Sequence, residues 1–247
     1  VIGRQLPLSV QLADAAAFDN FHAGPNAEVI AALRGLADGE ASGSILLHGP
    51  AGSGRTHLLQ AASREAAAHR RRAAYLPLAS FADELPAVLR GFETLDLVCL
   101  DDVDASLYDR AWAQAVLRLL DAVRSNGGVC LLSATVPVER LAIAPLPDLR
   151  TRLSACATFA LKPLTDPDRA ALLRTRAHHR GLELSDEVID FLLRRLPRDV
   201  PTLMQALDLL DREALQLKRR LTIPFVQQVL RPLLPAPAPP AARTAPG

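Results

Sequence analysis

The chain has 247 residues, of which 49% are hydrophobic and 22% charged, and a formal net charge of +1 at pH 7. That length buries a substantial core, as one large domain or as a domain with a small satellite. The balanced charge argues against broad, non-specific nucleic-acid binding as the main activity.

No apolar run reaches the roughly 18 residues that would mark a membrane span, and no charged-then-apolar leader opens the sequence. The scattered cysteines suit neither a disulfide scaffold nor a zinc site, so a reducing cytoplasm is the expected setting. Cys99, Cys130 and Cys156 are far apart and fit no metal-ligand spacing. The first two lie in apolar, strand-like runs and read as small hydrophobes. Two basic runs, Arg70-Arg71-Arg72 and Lys218-Arg219-Arg220, fall near the C-terminal ends of helix patterns, where cations complement the dipole.

Short apolar runs alternate with amphipathic stretches, which predicts an α/β domain with a mostly parallel sheet. Residues 44–48 form the first predicted strand, followed by a helix over about 55–69. Strands over 73–78 and 97–101 come next, the latter apolar enough to be buried on both faces. Trp112, Val116, Leu119, Leu120 and Val123 recur at helical spacing between Asp109 and Asn126. Asn126-Gly127-Gly128 stops that helix, a buried strand covers 129–133, and a last strand lies near 158–161.

The texture changes after Pro163. Thr165-Asp166-Pro167-Asp168 reads as a helix start, with Thr165 as cap and Asp168 reaching back to it. Helices without intervening strands follow, one carrying Val188, Ile189, Leu192, Leu193 and Leu196, another Leu203, Leu207, Leu210, Ala214 and Leu217. The expected division is an N-terminal segment over 1–17, an α/β domain over 18–163, a small helical domain over 164–231 and a Pro/Ala-rich tail over 232–247. The tail is too poor in apolar bulk to fold.

Gly49-Pro50-Ala51-Gly52-Ser53-Gly54-Arg55-Thr56 follows a predicted strand and opens a helix, the context of a phosphate-binding loop. Its glycines let the backbone wrap a polyphosphate, with N–H groups and the helix N-terminus facing the negative charge. The Thr56 hydroxyl is placed to ligate Mg²⁺. The strand over 97–101 ends in Asp101-Asp102, where Asp101 would hold Mg²⁺ through water and Asp102 would polarise an attacking water. Arg55 stands where such loops carry lysine. A planar guanidinium cannot place a compact ammonium between phosphates, so retained nucleotide affinity and weak turnover are expected.

With these motifs in place, the chain resembles the DnaA/Hda family of AAA+ proteins. Phe18-Asp19-Asn20-Phe21 with Gly24-Pro25-Asn26, the loop running into His57-Leu58-Leu59, and Asp101-Asp102 are similar to DnaA and its relatives. Arg55, the Leu146-Pro147-Asp148-Leu149 turn and the run Leu221-Thr222-Ile223-Pro224-Phe225-Val226 resemble the Hda-like regulatory inactivators in particular. No DNA-binding helix-turn-helix follows the lid, which favours the regulator over the initiator. The resemblance covers nearly everything from Gln5 to Leu230.

The resemblance implies a P-loop αβα sandwich with a parallel five-stranded sheet and a small all-α lid. It also implies a bound ADP or ATP, with Mg²⁺ if present. The expected partners are DnaA and the sliding clamp of the replicative polymerase on DNA, with possible self-association and no membrane. The implied function is to prompt DnaA to hydrolyse its ATP and so turn off initiation.

Gln5, Leu6, Leu8 and Val10 lie in a segment similar to the family's clamp-binding peptide. Arg152 occupies the arginine-finger position, with Arg150 two residues away as competitor and a surface pair with Asp148 as the bland alternative. Thr135 stands at the sensor position after the fourth strand. Pro201 stands where the lid usually carries a phosphate-contacting arginine, and Arg198 could substitute for it. The alternative reading is an active AAA+ helicase loader or DnaA-like initiator.

Overall fold

The computed structural model describes residues 16–81, 84–217 and 221–233. It divides into two compact units, Val1–Pro163 and Leu164–Gly247.

In the first unit, β1 (Ile45–His48), β2 (Ala73–Pro77), β3 (Leu97–Asp101), β4 (Val129–Ala134) and β5 (Ala157–Ala160) form one sheet in the order β2-β3-β4-β1-β5. Every pairing is parallel. Because strand side chains alternate between faces, adjacent residues enter opposite cores. Leu46, Val98, Leu100, Cys130 and Leu132 pack on one face, and Ile45, Leu47, Leu97, Cys99 and Leu131 on the other. The first face is covered by α3 (Arg110–Ser125) and α4 (Pro147–Ser154) through Trp112, Val116, Leu119, Leu149 and Leu153. The second is covered by α1 (Ala27–Asp38) and α2 (Arg55–Ala68) through Leu33, Leu36, Leu58 and Leu59. The three-layer αβα sandwich with a parallel five-stranded sheet that the resemblance implies is therefore present.

Two helices of this unit were not anticipated. α1 buries Val29, Leu33 and Leu36 and ends where Gly39 turns left-handed at φ 84°. α4 spans eight residues and begins at Pro147, suited to a first helical turn. So short a helix is marginal alone and is held by its buried Leu149 and Leu153. The helix around Trp112 starts where Asp109 accepts from the N–H groups of Ala111 and Trp112 at 2.8 and 3.0 Å.

The second unit contains α5 (Asp166–His179), α6 (Asp186–Arg195), α7 (Val200–Leu217) and α8 (Ile223–Val229) around Leu173, Ile189, Leu192, Leu203, Leu210 and Val226. α5 opens with the expected reciprocal cap: Thr165 N–H donates to Asp168 Oδ2 at 3.0 Å, and Asp168 N–H to Thr165 Oγ1 at 3.3 Å. At α7, Asp199 accepts from Thr202 N–H at 2.8 Å, with Pro201 in the first turn. No helix among the described residues is long and apolar enough to cross a membrane.

Candidate functional site

All five strands run the same way, so their C-terminal ends share one edge, where ligands bind in open α/β sheets. β4 lies between β1 and β3. Its end therefore sits between the loop that leaves β1 and the acidic pair that ends β3.

The loop leaving β1 turns through two left-handed glycines, Gly52 at φ 75° and Gly54 at φ 97°. At Gly54 a side chain is excluded twice over, since a Cβ would also come within 2.5 Å of the Phe21 ring. Phe21 in turn lies 5.5 Å from the His57 ring, and His57 Nε2 is 3.0 Å from the Ala17 carbonyl oxygen. The Phe18-Asp19-Asn20-Phe21 segment is thus packed on the loop and the start of α2. Asn26 fixes the next stretch: its amide donates to the Lys162 carbonyl at 3.0 Å and accepts from Lys162 N–H at 2.9 Å.

Gly54 is the N-cap of α2 and gives it no side-chain cap. The first-turn N–H groups have no partner within the helix, and the Ser53 hydroxyl is buried without a hydrogen-bond partner. Thr56 is exposed on the same turn. Orphan donors at a glycine-lined helix start fit a phosphate group.

Arg55 does not extend into that cradle. It is 8% exposed, and its guanidinium folds back to donate to the Gly49 carbonyl at 2.7 Å and to Asp102 Oδ1 at 2.9 Å. One side chain thereby ties the two ends of the loop together and links them to the acidic pair.

The two aspartates sit in different surroundings. Asp101 is 2% exposed. Its Oδ2 accepts from the Tyr75 hydroxyl at 2.7 Å, and its Oδ1 accepts from Ser133 Oγ. Burial, then the hydrogen bond and charge of Asp101, push the Tyr75 phenol well above its usual range, so Tyr75 stays a donor. Asp102 holds a left-handed backbone at φ 52°, fixed by its N–H donating to Ser133 Oγ at 2.9 Å. Such a conformation is uncommon outside glycine. Burial, followed by the neighbouring charge of Asp101, raises the Asp102 carboxyl above the ordinary range, while Arg55 pulls it back down. Thr135 is exposed, and both its N–H, at 3.1 Å, and its hydroxyl are engaged by Asp104 Oδ2.

The two arginines of α4 differ sharply. Arg150 donates to the Val138 carbonyl at 2.8 Å and to the Leu141 carbonyl at 3.1 Å. Arg152 lies 2.7 Å through Nε from Asp121 Oδ1, both groups about 40% exposed. Its partner is therefore Asp121 on α3, not Asp148. In the second unit, the Arg198 guanidinium lies 3.4 Å from Asp166.

The structure brings together the loop, Asp101, Asp102 and the end of β4. Gln5, Leu6, Leu8 and Val10 lie outside the described residues, as do Lys218-Arg219-Arg220 and most of the Pro/Ala tail, positions 234–247. Sequence reasoning missed Tyr75, Asp104 and Asp121. A tyrosine in the otherwise apolar run 73–78 was a usable signal for the first. Asp104 and Asp121 sit among ordinary surface charges and gave none.

The family described as "Bacterial DnaA ATPAse domain" matches residues 12–154, and the family described as "Hda, lid domain" matches residues 166–230. An uncharacterized protein of Haemophilus influenzae is 37% identical over 229 residues, covering 93% of this chain and 99% of that protein. Domain III of the Thermotoga maritima replication initiation protein DnaA superposes with a TM-score of 0.78 at 18% identity, covering 90% of this chain and 98% of that one. DnaA of Aquifex aeolicus bound to AMPPCP gives a TM-score of 0.71 at 21% identity over 85% and 69% of the two chains. The Thermotoga maritima RuvB branch migration motor gives 0.66 at 17% identity over 88% and 72%.

Proposed function

The chain belongs to the DnaA-related family of AAA+ proteins, and on that premise we propose that it is a regulator that holds an adenine nucleotide and acts on the ATPase site of DnaA. In this reading the protein docks on the sliding clamp on DNA, delivers Arg152 to the neighbouring ATPase site, and converts ATP-bound DnaA to the ADP form.

The observation that carries the reading is the path of Arg55. The loop keeps its uncapped helix start and its buried, unpartnered Ser53 hydroxyl, which suit a bound diphosphate. The cation that should reach farther phosphates is instead joined to Gly49 and Asp102. That pairing occupies one oxygen of the carboxylate proposed to polarise water. It favours a site that retains nucleotide over one that turns it over, and hence a regulator over a self-driven loader.

Gly49 to Thr56 would hold the phosphates, with Thr56 and Asp101 on the magnesium side. A bound magnesium ion would neutralise phosphate charge. The Tyr75 and Ser133 hydroxyls orient the Asp101 carboxylate by donating to its two oxygens. Asp102, with its raised carboxyl, is the proposed water-polarising group, and Thr135 the sensor-position hydroxyl. Gln5, Leu6, Leu8 and Val10 are the proposed clamp contacts, an extended peptide filling a groove with alternate side chains.

Acid extraction of freshly purified protein should release about one adenosine diphosphate per chain. Intrinsic turnover of roughly 1 per second or more would reject the retained-nucleotide reading. Replacing Gln5 by Ala should abolish retention on immobilised clamp; unchanged retention would remove the clamp from the proposal.

A further inference from the structure

The role proposed for Arg152 leaves open how a long, half-exposed side chain is held for use. An unrestrained arginine samples many rotamers, and freezing them at the moment of reaction carries a large entropic cost. A group that acts on a phosphoryl transfer works best when its geometry is set beforehand.

The structure surrounds Arg152 with such a setting. α4 is fixed by the fully buried Leu149 and Leu153 and by the two carbonyls that Arg150 binds. Across from it, α3 is fixed by Trp112, Val116, Leu119 and Val123. From α3, Asp121 presents Oδ1 2.7 Å from Arg152 Nε and 3.4 Å from Arg124 Nη2. The carboxylate is thus bracketed by two guanidiniums, one on its own helix and one across the gap. A contact through Nε uses the side of the guanidinium nearest its stem. The closest approach is at Nε, and it is the terminal edge that grips a phosphoryl group bidentately. Two cations sharing one anion also leave the cluster net positive.

We infer that Asp121 is the positioning residue for Arg152: it holds the guanidinium by Nε on the face of α3 and α4, with the terminal nitrogens turned to an incoming phosphoryl group. This rests on the proposed finger role of Arg152. An ordinary exposed ion pair would add little to stability and nothing to function, so the two accounts separate experimentally.

The test is single-turnover hydrolysis by ATP-loaded DnaA, stimulated by full-length protein with clamp on DNA, titrated to saturation. Asp121→Ala is expected to lower the maximal stimulated rate about tenfold, within the range for a misplaced catalytic group, without changing the half-saturating concentration. Asp121→Glu and Asp121→Asn, which keep an acceptor, should recover part of that loss. In an Arg152→Ala background, Asp121→Ala should have no further effect. Melting temperatures of the variants serve as the fold control.

Undiminished stimulation by Asp121→Ala, beside an inactive Arg152→Ala, overturns the positioning role and leaves the finger intact. A loss that persists unchanged in the Arg152→Ala background also overturns it. Full stimulation by Arg152→Ala removes the finger itself, and the positioning role with it.

Discussion

At Arg55 a single buried guanidinium bonds the Gly49 carbonyl and Asp102. Taking away one partner of a buried, hydrogen-bonded cation leaves the other uncompensated. Asp102→Asn is therefore expected to destabilise the first unit by about 1–2 kcal/mol, seen as a lower melting temperature of the nucleotide-free protein. An increase would mean that the strained backbone at residue 102 outweighs the pair. Arg55→Lys makes a complementary case. An ammonium cannot reproduce the fork that spans Gly49 and Asp102, so intrinsic ATP hydrolysis should rise at least severalfold over the wild-type rate, measured as phosphate release by the isolated protein. No change would place the limit elsewhere, for instance at Thr135. The substitution was visible in the sequence, and so was the misfit of a guanidinium to the lysine's place. Its folding back was not, because nothing local to the loop fixes a contact 47 residues away in the chain.

Among the elements, α4 shows how tertiary contacts decide a helix that the sequence leaves ambiguous. Eight residues that begin with proline carry weak helical propensity, and only docking of Leu149 and Leu153 with the two Arg150 bonds makes the segment regular. Arg150→Met, which keeps bulk but leaves two carbonyls without their donor, should cost about 1–3 kcal/mol and broaden amide exchange across α4. A silent substitution would mean that water replaces the guanidinium without cost. By contrast, the strands, α3 and the opening of α5 were legible beforehand, because their signals are local: unbroken apolar runs, helical spacing around Trp112, and Thr165 paired with Asp168.

The strand starts carry a pH response. Asp96 accepts from Arg72 N–H at 2.7 Å and from its guanidinium at 3.1 Å, joining the start of β2 to that of β3. The Arg72 hydrogen bonds hold the Asp96 carboxyl below its ordinary value of 3.8. A depressed folded-state value stabilises the native state above the unfolded value, and that contribution is lost as pH falls through the folded one. Wild-type protein should thus melt higher than Asp96→Asn near pH 6, with the gap closing below about pH 4. A gap independent of pH would assign the effect to shape and not to charge.

For the whole molecule, a parallel sheet whose strand ends share one edge explains why distant segments of sequence meet. Residues 49–56, 101–102 and 133–135 converge because β1, β3 and β4 run the same way and lie side by side. Alternation of apolar runs and helices made that architecture readable. What the alternation does not encode is the network behind the acidic pair, in which Tyr75 and Ser133 take both oxygens of Asp101 while Asp104 takes Thr135. Those contacts depend on strand order, which no local pattern states.

The central claim is that this protein acts on another protein's triphosphate and not chiefly on its own. Its most direct test is the rate at which ATP-loaded DnaA is converted to the ADP form with the protein and clamp on DNA, each also omitted in turn. Faster conversion with the complete set, lost with Arg152→Ala while nucleotide binding is retained, is the predicted result. Conversion at the same rate whether or not the protein is present would contradict it.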